Sequence, residues 1–289
     1  MRRASVTLLA DSAAVRILGG LLEARTGQHI PAGRTWRVET ALKPIVRELG
    51  IASIDALAAQ IAHRRDPRLT ARVIEALLNN ESSFFRDPAV FTLLGRKGIE
   101  RLKASRSHAR RLRIWSAGCS TGQEPYSIAM MLREVDILSA GWQVEISATD
   151  VSEAAVAKAK SGRYSQFEVQ RGLPVRTMLR YFEQKGDHWT IDASLRRSVR
   201  FAAHNLLDPA PGKFDLILCR NVMMYFGPET RARVYDRLAD ALEPGGILML
   251  GAGETVLGQT ERFASDPEMR GLYIAAGEMA RTDKRAANG

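Results

Sequence analysis

Cysteine, histidine and long apolar runs are all scarce in this chain of 289 residues, and each scarcity removes a class of answer. The two cysteines, Cys119 and Cys219, and five scattered histidines give no zinc-ligand spacing, and so few thiols point to a reduced, cytoplasmic protein. The basic start at Arg2 and Arg3 is soon interrupted by Asp11 and has no long apolar core behind it, unlike a secretory leader. No run approaches the roughly 18 to 20 apolar residues that span a bilayer, so no membrane insertion is expected. What remains is globular in composition, 45% hydrophobic and 26% charged, and long enough for one large domain or two ordinary ones.

Charge is unevenly placed. The formal balance is +10, and Met1 to Arg113 holds 21 Lys or Arg against 10 Asp or Glu, so essentially all of the excess lies in the first third. That asymmetry predicts steering toward an acidic partner and salt-sensitive association. Nucleic acid, anionic lipid and an acidic protein surface all satisfy it, as does a merely solvated basic face.

The stretch from Ile114 to Met130 organises the rest. An apolar run stops at Gly118-Cys119-Ser120-Thr121-Gly122, and a small-residue helical pattern follows, with Ile128, Ala129, Met131 and Leu132 on a mostly apolar face. This reads as strand, tight loop and helix, with Ser120 or Thr121 available to cap the helix. The loop lacks both the full Gly-x-Gly-x-x-Gly spacing and the Gly-Lys-Ser/Thr ending, so pyrophosphate is not implied. Glu124 at the mouth would repel phosphate and attract an amino group.

Upstream, helical periodicity is expected over 11–26, around Leu42, Ile45, Val46 and Leu49, around Ile54, Leu57, Ala58 and Ile61 after a Ser53 cap, and at Val73, Ile74, Leu77 and Leu78. These make a small all-α domain with a basic exterior, placed at 10–95, with a basic linker at 96–111. Between them Asn79-Asn80-Glu81-Ser82-Ser83-Phe84-Phe85-Arg86-Asp87-Pro88 sets amides and hydroxyls beside two aromatics and a forked donor.

From residue 112 to about 280, strand and helix signals alternate. Strands are expected at 112–117, 144–149, 214–219 and 247–250, and helices at 122–135, 152–160 and 228–242, which is a doubly wound, Rossmann-like α/β pattern. A small β subdomain with a short hairpin is expected as an insertion at about 165–200. In such a sheet ligands lie beyond the carboxyl ends of the strands. Asp150 falls at one such end, where it can accept both hydroxyls of a ribose or instead cap the next helix, a role for which Ser152 competes. Asn205-Leu206-Leu207-Asp208 and Cys219-Arg220-Asn221-Val222-Met223-Met224-Tyr225-Phe226 stand at other strand ends and suit a purine pocket.

Taken together, Asn80 to Asp87, Gly118 to Ser127, Ala148-Thr149-Asp150, Asn205 to Leu207 and Cys219 to Phe226 resemble the chemotaxis receptor glutamate methyltransferases, in order, over about residues 10 to 278. The resemblance implies a helical N-terminal domain, an S-adenosylmethionine-dependent methyltransferase domain with a small β subdomain, and no metal. It implies methyl transfer to glutamate side chains on the acidic cytoplasmic helical bundle of chemoreceptors, giving S-adenosylhomocysteine, with the basic N-terminal domain docking the receptor. It further implies that Asn80, Ser82 and Arg86 approach the cofactor and reaction centre and that Gly118 belongs to the cofactor turn. Glu124 would meet the methionine amino group, Asp150 the ribose, Asn205 and Leu206 the adenine, Arg220 and Asn221 the remaining cofactor contacts, and Tyr225 the transferred methyl. Arg86 and Tyr225 are thereby the catalytic candidates.

Three departures stand out: Ser82 replaces a frequent Thr, Gln123 replaces a frequent Glu, and the subdomain looks shorter around Lys185-Gly186-Asp187-His188 than in members that grip a receptor's C-terminal pentapeptide. The last implies a member independent of that tether. Two other functions fit parts of the pattern: a non-catalytic cofactor-binding signalling module, and a nucleic-acid methyltransferase attracted through the basic first third.

Overall fold

A computed structural model describes residues 13–64, 66–135, 137 and 141–277; the expectations for 10–12 and 278–280 fall outside these. The chain divides into two compact units, one running to Asn79 and including Tyr225–Gly227, the other made of Asn80–Met224 and the chain from Pro228 onward.

The first unit is helical, with helices Ala13–Thr26, Trp36–Glu48, Ile54–Arg64 and Pro67–Leu77. Its core is the periodic set Leu18, Leu22, Val38, Leu42, Leu57, Ile61, Val73 and Leu77, all buried. Helix Trp36–Glu48 stops where Gly50 takes φ 62°, and Ile51 N–H closes back on Val46 O at 3.0 Å. The last helix starts at an Asp66 cap that accepts from Arg68 N at 2.9 Å and Leu69 N at 3.2 Å, with Pro67 at the first helical position. Ser53 caps its helix as expected, accepting from Ala56 N at 3.1 Å.

The second unit holds a seven-stranded sheet of β1 (Arg111–Ala117), β2 (Gln143–Asp150), β6 (Val199–Ala203), β7 (Phe214–Cys219), β8 (Leu242–Leu250), β9 (Phe263–Ser265) and β10 (Leu272–Ala275). The order is β6-β2-β1-β7-β8-β10-β9, and β10 runs antiparallel to β8 in an otherwise parallel core. Crossovers leave β1 toward β2 on one side and reach β7 on the other, so the switch point lies beside the β1 carboxyl end. Strand β7 is buried along its whole length, as a parallel strand covered on both faces must be.

A separate three-stranded antiparallel sheet, ordered β3-β5-β4, joins β3 (Arg163–Ser165), β4 (Phe182–Lys185) and β5 (His188–Ile191), with Gly186 and Asp187 between β4 and β5. The insertion therefore differs from the expected 165–200. It recruits Arg163 and Tyr164 ahead of that range, and Val199 and Arg200, expected within the subdomain, instead begin β6, which pairs in parallel with β2 in the main sheet. The hydrogen-bonding edge of β2 needs a partner, and the β-branched start at Val199 supplies one.

The expected linker at 96–111 is not a linker. Pro88–Leu93, a π-turn at Leu94–Gly98 and helix Ile99–Ser105 form one helical run, and Phe91, Leu94, Ile99 and Leu102 join the core of the sheet unit. The division falls at Asn79/Asn80 rather than between 95 and 112. The charge asymmetry divides with it: residues 80–113 carry nine Lys or Arg against three Asp or Glu, whereas residues 1–79 carry 12 against seven. Several of those cations are spent inside the sheet unit, Arg101 on Asp266, Arg106 on Asp215 at 2.5 Å and Arg111 on Glu145 at 2.6 Å.

Candidate cofactor site at the carboxyl ends of the strands

The loop after β1 is shaped by backbone conformations that need glycine. Gly118 has φ 80° and a Cβ there would lie 2.6 Å from Val222 Cγ2; Gly122 has φ 95° and a Cβ would lie 2.8 Å from Ala159 Cβ. Gly122 itself stands at the N-cap of helix Gln123–Glu134, with no side-chain cap. The expected capping by Ser120 or Thr121 is thus replaced. Ser120, itself at φ 51°, gives its hydroxyl to Asn80 O at 2.7 Å, and Thr121 Oγ1 donates to Gln123 Oε1 at 2.8 Å.

Asp150, buried at the end of β2, accepts from Ser120 N at 2.7 Å through Oδ2 and from Ser152 N at 2.9 Å through Oδ1. Ser152, not Asp150, is the cap of helix Glu153–Ser161, accepting from Ala155 N at 2.9 Å. Asn80 Nδ2 donates to the same Ser152 hydroxyl at 3.1 Å. The segments around Asn80, Ser120 and Asp150, far apart in sequence, are therefore tied into one corner.

Glu124 is further inside than a residue at the mouth. Its carboxylate accepts from Ser116 Oγ at 2.8 Å and Arg220 Nη1 at 3.1 Å. Burial raises its pKa above the ordinary carboxyl value, and the Arg220 charge and the Ser116 hydroxyl only partly oppose this. Arg220, at the end of β7, has a side chain only 2% exposed. It also donates to Asp87 Oδ2 at 2.6 Å and Arg86 O at 2.8 Å, and its guanidinium lies 5.4 Å from the Phe91 ring centroid. Its fork is committed to holding Glu124 and the Arg86–Asp87 turn, and its Nε has no partner among the described residues.

The Phe84–Asp87 turn is held in an uncommon backbone shape, with φ 46° at Phe85 and φ 60° at Asp87. Phe84 is fully buried against Tyr164 and Phe182 at ring separations of 5.1 and 5.4 Å, and Phe85 N donates to Ser127 Oγ at 2.9 Å. Buried aromatics thus anchor a turn that would otherwise relax. The half-buried Arg86 guanidinium and Ser82 hydroxyl make no hydrogen bond or ion pair among the described residues.

On the other side, Asn221 has φ 58° and is fixed by Glu254, whose carboxylate accepts from Asn221 N at 2.7 Å, Met223 N at 2.8 Å and Gly251 N at 2.8 Å. Sequence reasoning missed Glu254, since a lone acid in Gly-Ala-Gly-Glu after the last parallel strand carries no motif. Asn205 Oδ1 accepts from Leu207 N at 3.0 Å, and Leu206 is buried. Tyr225 alone of the candidates groups with the helical unit, where Asn79 Nδ2 donates to its hydroxyl and His29 N donates to its carbonyl at 2.8 Å. Both cysteines are buried, and burial pushes their thiols well above the usual range, so neither offers a thiolate at neutral pH.

Renumbering the main-sheet strands in chain order gives 3-2-1-4-5-7-6 with the seventh reversed, and the polar groups collect at the carboxyl ends beside the switch point. The donor set fits S-adenosylmethionine: a buried carboxylate for an ammonium, a carboxylate at the end of the second strand for vicinal hydroxyls, an amide and an aliphatic wall for a purine, and no phosphate-binding cluster. This defines a Rossmann-like methyltransferase domain. Residues 80–271 match the family model described as CheR methyltransferase, SAM binding domain, and the chain belongs to that family of S-adenosylmethionine-dependent methyltransferases.

The chain is 36% identical over 247 residues to a chemotaxis protein methyltransferase of Vibrio parahaemolyticus, covering 84% of this chain and 89% of the relative. It is 37% identical over 242 residues to chemotaxis protein methyltransferase 1 of Pseudomonas aeruginosa, covering 81% and 87%. A third relative, the chemotaxis protein methyltransferase of Listeria monocytogenes, is 37% identical over 197 residues, covering 67% and 72%.

Proposed function

We propose that the protein acts in chemotaxis signalling by transferring the methyl group of S-adenosylmethionine to the γ-carboxylate of glutamates on chemoreceptor cytoplasmic domains, giving methyl esters and S-adenosylhomocysteine. The observation that carries this reading is the pairing of a nucleoside-type corner at Asp150 with an Arg86 guanidinium that has no partner among the described residues, on a strained turn anchored to the same unit. The names of the relatives support the chemotaxis setting. When bound, the donor supplies an electrophilic methyl on a sulfonium, and the chain's own residues bind, orient and exclude water.

An acceptor glutamate is anionic at neutral pH, because its pKa is about 4.3, and needs no general base. Positioning therefore dominates. Arg86 can orient the carboxylate, and Tyr225 can shape the pocket near the methyl. Glu124 takes the methionine ammonium, Asp150 the ribose, Asn205 and Leu206 the adenine side, and Gly118 admits the close backbone turn. Arg220 and Asn221 act by holding Glu124 and the loop of the last parallel strands, while Asn80 and Ser82 approach the cofactor and reaction centre. Attraction between carboxylate and sulfonium disappears as transfer proceeds, so a dry pocket favours the reaction.

The basic residues of the helical unit are proposed to dock the acidic receptor bundle, and the turn of only Gly186 and Asp187 between β4 and β5 supports independence from a C-terminal receptor pentapeptide. A cytoplasmic location with transient association at receptor arrays follows from that role; no described helix is long and apolar enough to cross a membrane. The test is incubation with labelled S-adenosylmethionine and receptor cytoplasmic fragments, with duplex DNA and RNA in parallel. Base-labile label on the receptor supports the proposal, and label on nucleic acid alone, or binding without transfer, overturns it.

A further inference from the structure

Arg37, Asn79 and Tyr225 form a hydrogen-bonded chain inside the helical unit. Arg37 Nη2 donates to Asn79 Oδ1 at 3.0 Å, and Asn79 Nδ2 donates to the Tyr225 hydroxyl. Chemistry alone fixes the direction. A guanidinium has no acceptor, so the amide oxygen must face Arg37 and the amide NH2 must face the phenol. A phenol oxygen that accepts from an amide sends its own proton elsewhere, and no described residue takes it.

The backbone of the tyrosine is pinned as well. His29 N donates to Tyr225 O at 2.8 Å, Gln28 and Phe226 form an antiparallel bridge, and Phe226 is buried. Arg37, Asn79 and Tyr225 line, with Leu22, Val38 and Leu77 of the same unit, a small cavity of about 30 Å³, which is room for a water.

We propose that Arg37 and Asn79 are positioning residues that make Tyr225 a one-way donor toward the acceptor carboxylate. The inference rests on the reading of Tyr225 as a site residue given above. A neutral phenol can orient one carboxylate oxygen without the tight ion pair that would blunt the nucleophile, and the Arg37 charge on the amide oxygen strengthens the amide as a donor. The arrangement needs a donor-only cation at 37 and an amide at 79, not merely polar residues.

The test inverts one link at nearly constant shape. Asn79→Asp still accepts from Arg37 but also accepts from the Tyr225 hydroxyl, turning its proton inward. With a receptor cytoplasmic fragment as substrate, kcat is expected to fall about tenfold with KM little changed, the scale of one hydrogen bond. Tyr225→Phe is expected to fall equally, and the double variant no further. Arg37→Lys, which keeps a donor-only cation, retains most turnover, whereas Arg37→Gln, which lets the amide flip, loses several-fold at an unchanged thermal midpoint. Wild-type turnover by Tyr225→Phe would sink the reading of Tyr225 itself. A slow Tyr225→Phe beside an unimpaired Asn79→Asp would overturn the positioning inference and leave that reading standing.

Discussion

Replacing Glu254 by Gln removes one charge and few atoms, yet it should be among the most damaging conservative changes in the sheet unit. Its carboxylate accepts three backbone N–H groups, those of Asn221 and Gly251 through Oε2 and that of Met223 through Oε1. A glutamine has one oxygen. In its better orientation it keeps two bonds, now without charge assistance, which costs about 1 kcal/mol each. Its NH2 then faces the Met223 N–H, donor against donor, and leaving that group unsatisfied costs about 1–3 kcal/mol more. The sum, about 3–5 kcal/mol, is a large part of a typical stability of about 5–15 kcal/mol. Because Asn221 sits at φ 58°, a conformation the clamp enforces, the loop should also relax. Urea unfolding followed by tryptophan emission reads mainly this unit, which holds Trp115, Trp142 and Trp189 while Trp36 lies in the other. The expected result is a loss of at least about 3 kcal/mol together with weaker S-adenosylhomocysteine binding. A loss below about 1 kcal/mol with unchanged binding would refute the clamp.

Arg86→Ala should lower methyl transfer at least tenfold, roughly the worth of one charged hydrogen bond, with a thermal midpoint close to wild type, since the guanidinium makes no intramolecular bond among the described residues; equal loss of folding would point to a structural role instead. Asp150→Ala should weaken S-adenosylhomocysteine about tenfold or more by calorimetry, with some destabilisation because Ser120 N and Ser152 N lose their acceptor. Glu124 supplies a pH signature. Burial raises its folded pKa above the unfolded value, so its contribution to stability is full below the unfolded pKa and lost as pH rises through the raised folded pKa. The same ionisation creates the anion that receives the ammonium, so S-adenosylhomocysteine affinity should increase with pH across that window. Glu124→Gln should flatten both profiles, and persistence of either slope in that variant would count against the assignment.

How much was legible in the residues follows from where each signal is stored. The strand, loop and helix from Leu112 to Leu132 could be read because apolar alternation, two glycines and a small-residue helix face are all local. Strands β9 and β10, three and four residues long, could not, because strands so short are defined by pairing with β8 rather than by their own propensity. The start of the expected linker, 96–105, looked basic because its cations dominate the eye, although Ile99 and Leu102 continue beneath them the helical spacing of Phe91 and Leu94. At the site, residue types were visible and their partners were not. Glu124 was legible as an acid near the turn, but its burial with Arg220 joins positions 96 residues apart, and the Arg37–Asn79 bond joins positions 42 apart. Capping went to Gly122 and Ser152 because tertiary partners, Asn80 O for Ser120 and the loop amides for Asp150, outcompeted the local choices.

The most direct measurement is peptide mapping of a receptor cytoplasmic fragment after incubation with the enzyme and S-adenosylmethionine. The account requires a single methyl increment on glutamate side chains, removed by mild alkali, and reduced by Asp150→Ala when S-adenosylmethionine is held below saturation. An increment that survives alkali, or sits on a lysine or a chain terminus, would contradict methyl-ester formation.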